Sequence, residues 1–139
     1  MKPSEIMFDK TISNRDKFGV YVRGRRNELD MTLRDFANDI NLSPAYVSDI
    51  ENGNRYAPMN YLKQVARILQ IEKEEINYFY DLAGCSHSNW TDINDYLSQM
   101  PSARKAIRMA RDKNMTEEEF VELISSIDRE KENYKELER

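Results

Sequence analysis

Little in this sequence serves for crosslinking, metal binding or tight turning. It holds 1 cysteine, Cys85, and 1 histidine, His87. One thiol excludes an internal disulfide framework and cannot build a zinc site by itself. Such sparing use of cysteine fits a reducing cytoplasm. His87 has no partner at a spacing suited to metal or general-base work, so it carries no expected role. With 4 Gly and 4 Pro, a helical fold with short connections is favoured over an all-β one. No apolar run approaches the length of a membrane span, and no membrane partner is expected. The opening residues 1–5 lack the apolar core and small-residue cleavage site of a secretory signal. There is no nucleophile–base pair, metal cluster or phosphate-binding glycine loop, so neither an enzyme nor a cofactor is expected.

Charge and apolar content are ample by contrast. Charged residues make up 33% of the 139-residue chain and hydrophobic residues 40%, which suits a folded soluble protein. The net charge is −4, but its distribution matters more. Between Lys10 and Arg26 stand Lys10, Arg15, Lys17, Arg23, Arg25 and Arg26 against one acid, Asp16. Residues 114–139 carry 9 acids against 4 bases. A basic face can coexist with an acidic tail, although the overall sign weakens sequence-blind affinity for DNA.

Periodicity predicts a chain of short helices. Residues 4–12 read as an opening helix. Asn14 reads as the cap of a second, reaching about Leu29, with Phe18, Val22 and Leu29 on one face. Thr32 begins a third in a capping-box-like arrangement with Asp35, and Phe36, Ala37 and Ile40 form its inner face. After a turn of Asn41 and Leu42, Ser43 caps a fourth helix and Pro44 fits its first position. Val47 and Ile50 point inward, and Gly53 supplies the left-handed stop. Two short helices at so tight a turn are the geometry that pushes one helix into a DNA major groove. Pro58 reads as the start of a helix with Leu62, Val65, Ala66 and Leu69 as its core stripe. Residues 74–83 read as another, stopped by Gly84.

At these residues the chain resembles the phage-repressor (Cro-like, XRE) helix-turn-helix family. The resemblance rests on Val22-Arg23 and Arg26, Met31-Thr32, Phe36-Ala37, the run from Ser43 through Arg55, and Pro58. It implies a five-helix DNA-binding domain over residues 14–84, inside an all-α protein. It makes residues 32–40 the positioning helix and residues 43–52 the recognition helix. Pro44, Ala45 and Asp49 would face base edges. Tyr46 would lie over a sugar-phosphate strand or a base, and Asn52, Asn54 and Arg55 would meet phosphates. Thr32 and Ser43 stand at the helix starts, where backbone amides can face a phosphate. Arg26 and Glu51 would form a structural ion pair. Two departures bear on the operator. Leu33 stands where the family often has Gln, and Asn41 replaces the turn glycine. The base-facing set also lacks a bidentate donor, leaving thymine-methyl contact from Pro44 or Ala45 and acceptance from cytosine by Asp49.

Other features admit plain readings. Arg23 and Arg25 are equally suited to phosphate contact or to solvation. Cys85 is expected to be an ordinary residue, since no flanking base lowers its pKa. Tyr78, Phe79 and Tyr80 suit helix packing better than a ligand cage. Residues 1–13 read as an N-terminal extension and residues 85–90 as a small, polar linker. Residues 91–139 read as a C-terminal helical region for dimerisation or interaction. There Pro101 opens one helix, and Thr116 with Glu119 caps another. The stripe Phe120, Leu123, Ile124 and Ile127 is too large to leave in water, so it packs within the chain or across a dimer. The basic cluster around Arg104, Lys105, Arg108 and Arg111 is expected to pair with acids or be solvated. Beyond Asp128 the charge-rich end is expected to fray. The expected partner is double-stranded DNA, bound by a homodimer that represses transcription. The alternative is an antitoxin-like protein that clamps a partner through its C-terminal helices.

Overall fold

Every regular element is helical in the computed structural model, which describes residues 1–85 and 90–137. His87 and the rest of residues 86–89, central to the expected linker, lie outside the described residues, as do residues 138–139. The chain divides into two units, Met1–Asn94 and Asp95–Arg139.

The first unit is built on helices α1 (Pro3–Met7), α2 (Lys17–Glu28), α3 (Leu33–Asp39), α4 (Pro44–Glu51), α5 (Leu62–Ile68) and α6 (Ile76–Cys85). Its core takes Phe18, Tyr21 and Val22 from α2, Phe36 and Ala37 from α3, Val47 and Ile50 from α4, and Phe79, Leu82 and Ala83 from α6. Phe79 is the hub. Its ring centre lies 5.6 Å from that of Phe18 and 6.2 Å from that of Tyr21. Burial pushes the Tyr21 hydroxyl pKa up to about 12, so that side chain stays neutral.

Several boundaries differ from those the sequence suggests. The opening helix ends at Met7, because Asp9 turns the chain. Its carboxylate accepts from the Thr11 amide at 2.8 Å and the Thr11 hydroxyl at 2.6 Å. Asp16, not Asn14, stands at the cap of α2, after a turn in which the Asp16 and Lys17 amides bond the Ser13 carbonyl. Pro58 leads into a 3-10 turn, Met59–Tyr61, before α5 begins. Gly84 does not stop α6, which continues to Cys85 with Gly84 buried. The α1 segment is docked on α2 and α6. Ser4 donates to the Glu75 carboxylate from its amide at 2.9 Å and its hydroxyl at 2.7 Å. Lys17 Nζ donates to the Met7 carbonyl at 2.7 Å.

The C-terminal helices are α7 (Thr91–Gln99), α8 (Pro101–Asp112) and α9 (Glu117–Leu137). The Met115 amide closes α8 onto the Ala110 carbonyl at 2.9 Å, with Asn114 at φ 56°. Thr116 Oγ1 accepts from the Glu119 amide at 3.2 Å and so starts α9. Among the described residues α9 runs on through residues 128–137. Alternating acids and bases such as Asp128, Arg129, Glu130, Lys131 and Glu132 suit a solvated helix. None of residues 95–132 is buried.

Candidate nucleic-acid interface

The tight turn between α3 and α4 follows from local chemistry. Thr32 caps α3, accepting from the Asp35 amide at 3.0 Å, while Asp35 accepts from the Thr32 amide at 3.4 Å. At the far end Asn41 takes φ 57°, a left-handed conformation its short polar side chain tolerates. The Leu42 amide then bonds back to the Ala37 carbonyl at 3.0 Å, satisfying one of the carbonyls left over by α3. Leu42 packs partly buried under the turn. Ser43 Oγ accepts from the Tyr46 amide at 3.1 Å, and Pro44 occupies the first turn of α4. Gly53, at φ 75°, ends that helix, and the Asn54 amide closes onto the Asp49 carbonyl at 2.8 Å.

From within, α4 is held by a polar clamp and a close crossing. Arg26 donates to Glu51 through Nε at 2.8 Å and Nη2 at 3.2 Å. Its Nη1 donates to the Met31 carbonyl at 2.9 Å. Both side chains are largely buried, Glu51 at 3% exposure, so the pair fixes α2 against α4 in a medium that screens little. Gly19 makes the crossing close. A Cβ there would meet the carbonyl oxygens of Ile50 and Glu51.

What α4 offers outward is a small mixed surface. Pro44 and Ala45 are exposed, and Tyr46 and Asp49 are half-buried. The Arg55 guanidinium stacks 4.2 Å from the centre of the Tyr46 ring, a cation–π contact. Arg55 Nη2 also lies 3.8 Å from Asp49 Oδ2. Tyr46, Asp49 and Arg55 are thus brought together. Asn52 turns back along the helix, donating to Ser48 Oγ at 3.4 Å. Asn54 faces a residue the sequence reading did not assign to the site. Arg15 donates to the Gly53 carbonyl at 2.7 Å and to Asn54 Oδ1 at 3.0 Å. Together with Gly53, Asn54, Arg55 and Tyr56 it lines an open groove beside α4. No local pattern marks Arg15, since its partners lie far along the chain. Its place in the basic stretch before Arg26 was the available signal. Thr32 and Ser43 remain exposed, each spending its hydroxyl on a cap.

Arg25 belongs to the scaffold. It donates to the Leu69 carbonyl at 2.9 Å and lies 3.2 Å from Glu28. Tyr78 and Tyr80 are packing residues, with ring centres 5.7 Å from Phe8 and 5.8 Å from Phe79 respectively. Burial pushes the Cys85 thiol pKa up, which disfavours the reactive thiolate. Among the described residues no group of His, Cys, Asp or Glu is arranged to hold a metal ion. No helix of the described residues is long and apolar enough to cross a membrane.

Residues 22–76 match the family model described as Helix-turn-helix. The matched segment is a helix-turn-helix domain of the phage-repressor, Cro-like (XRE) kind. The protein that carries it is a DNA-binding transcriptional regulator. No curated protein and no solved structure matches the chain.

Proposed function

We propose that the protein is a transcriptional repressor that binds an inverted-repeat operator as a homodimer in the cytoplasm. The observation that carries this reading is the outward face of α4. Pro44, Ala45 and Asp49 lie clear of the core, on a helix braced from behind by the Arg26–Glu51 pair. Pro44 and Ala45 offer apolar contact to a thymine methyl, and Asp49 can accept from a cytosine amino group. Tyr46 lies over the sugar-phosphate strand. Arg55, Asn54 and Asn52 meet phosphates beyond the end of α4, and the amides at the starts of α3 and α4, behind Thr32 and Ser43, meet others. Arg15 joins them, because it shares the groove with Asn54 and Arg55.

Two such helices in a symmetric dimer fall one duplex turn apart, roughly 34–36 Å. Footprinting combined with gel retardation at moderate salt tests this. Two protected half-sites in inverted orientation are expected, and binding that ignores sequence would overturn the reading. Repression follows if the bound dimer occludes a promoter.

A second reading has support in the exposed apolar residues of α9, among them Ile124 at 59% and Ile127 at 53% exposure. In it these residues clamp a different small protein, as in an antitoxin, while the same DNA-binding domain autoregulates. Co-purification of one stoichiometric partner from the native host would favour it.

A further inference from the structure

Tyr21 buries a polar group whose hydrogen bonding is unmet. The side chain is 1% exposed, and its ring packs on Phe79 in the core. Its hydroxyl has no hydrogen-bond partner among the described residues. Being neutral, that hydroxyl keeps its proton and can donate as well as accept. Buried polar atoms in folded proteins nearly always have a partner, in the protein or in something bound to it. Tyr21 lines a cavity of about 190 Å³. The charges that act on its hydroxyl, Arg25, Glu28 and Glu75, line the same cavity. The hydroxyl therefore points into that space.

The walls are α2, residues 1–3 of the N-terminal extension, and residues 70–75 between α5 and α6. Tyr21 and residues 1–3 lie outside the matched segment 22–76, so the extension completes the cavity. Most of the charge on these walls is already committed. Arg25 donates to the Leu69 carbonyl at 2.9 Å and pairs with Glu28 at 3.2 Å. Glu28 also holds the Met1 amino group at 3.0 Å. Ser4 occupies both oxygens of Glu75. Two charged side chains of the walls, Glu72 and Lys2, have no ion-pair partner among the described residues. One suits a cation and the other an anion.

We infer that this cavity binds a small zwitterion of the α-amino-acid class, with its ammonium toward Glu72, its carboxylate toward Lys2, and the Tyr21 hydroxyl bonded to it from the core side. A simple anion would have to lie against Glu28, Glu72 and Glu75, and a simple cation against Arg25 and Lys2. A molecule with one charge of each sign avoids both repulsions. Size narrows the class. At about 30 Å³ per water the cavity has room for roughly six, which suits the smaller members, from glycine to asparagine. Water alone would also satisfy the hydroxyl, and in that case no amino acid binds.

Calorimetric titration of the full chain tests this with glycine, L-alanine, L-serine and L-asparagine. Two fragments serve as controls: propionate, which lacks the ammonium of alanine, and ethylamine, which lacks its carboxylate. At least one amino acid is expected to bind, and to raise the melting temperature as its concentration rises. Both fragments should bind about ten-fold more weakly or not at all. Tyr21→Phe removes the hydroxyl and keeps the ring. It should melt no lower than the wild type, because a buried group without a partner is gone, and should bind about ten-fold more weakly. Glu72→Gln changes an exposed wall residue and should bind about three-fold more weakly. It decides alone if Tyr21→Phe does not fold. Failure of all four amino acids to bind, a fragment that binds as tightly as the amino acid, or undiminished binding by either folded variant overturns the inference.

Discussion

Arg55 holds the most telling position of any single residue. It stacks on Tyr46 and faces Asp49 at 3.8 Å, with side chains 48% and 46% exposed respectively for Arg55 and Asp49. Water screens such a pair, so Asp49 gives way readily when a phosphate arrives. Arg55→Ala is expected to weaken operator and random duplex alike, and to lower the salt slope by about one. Asp49→Asn removes a negative charge from a surface that must meet phosphates. It is expected to tighten binding overall while changing preference at one operator position by about 1–3 kcal/mol. Titrations at several salt concentrations, on operators altered one base pair at a time, separate the two effects.

Between elements, the crossing of α2 and α4 decides how the recognition helix is presented. Removing one partner of a buried pair strands the other charge, so Glu51→Ala is expected to cost about 3–5 kcal/mol, measured by urea denaturation. Much of this level was legible in the sequence. Caps, the glycine stop and the apolar spacing depend on neighbours within a turn or two, and so Thr32, Ser43, Pro44 and Gly53 announce α3 and α4 correctly. The resemblance supplied the Arg26–Glu51 pair. What could not be read were contacts set by the tertiary path. Arg15 reaches Gly53 and Asn54 across the fold, Ser4 ties α1 to Glu75, and Gly84 stays helical because α6 is still buried there. Arg55 was read as a phosphate contact, but its stacking on Tyr46 depends on how the chain turns at Gly53.

At the scale of the whole molecule, the first unit has its own core, whereas none of the described residues 95–132 in the C-terminal helices is buried. A chain ended after residue 94 is therefore expected to fold cooperatively, to sediment as a monomer, and to bind a half-site as the full chain does. Its affinity for the complete operator should fall, because two monomers lose the effective concentration that a dimer provides. A shortened chain that still dimerised would remove the assigned role of α8 and α9. The division also separates the two jobs the sequence must perform. Pro44 and Ala45 contribute nothing to the interior, while Arg26, Glu51 and Gly19 fix the angle of the helix that displays them. The letters the protein reads can consequently be rewritten by exchanging a few surface side chains, as type is reset in a press whose frame stays bolted.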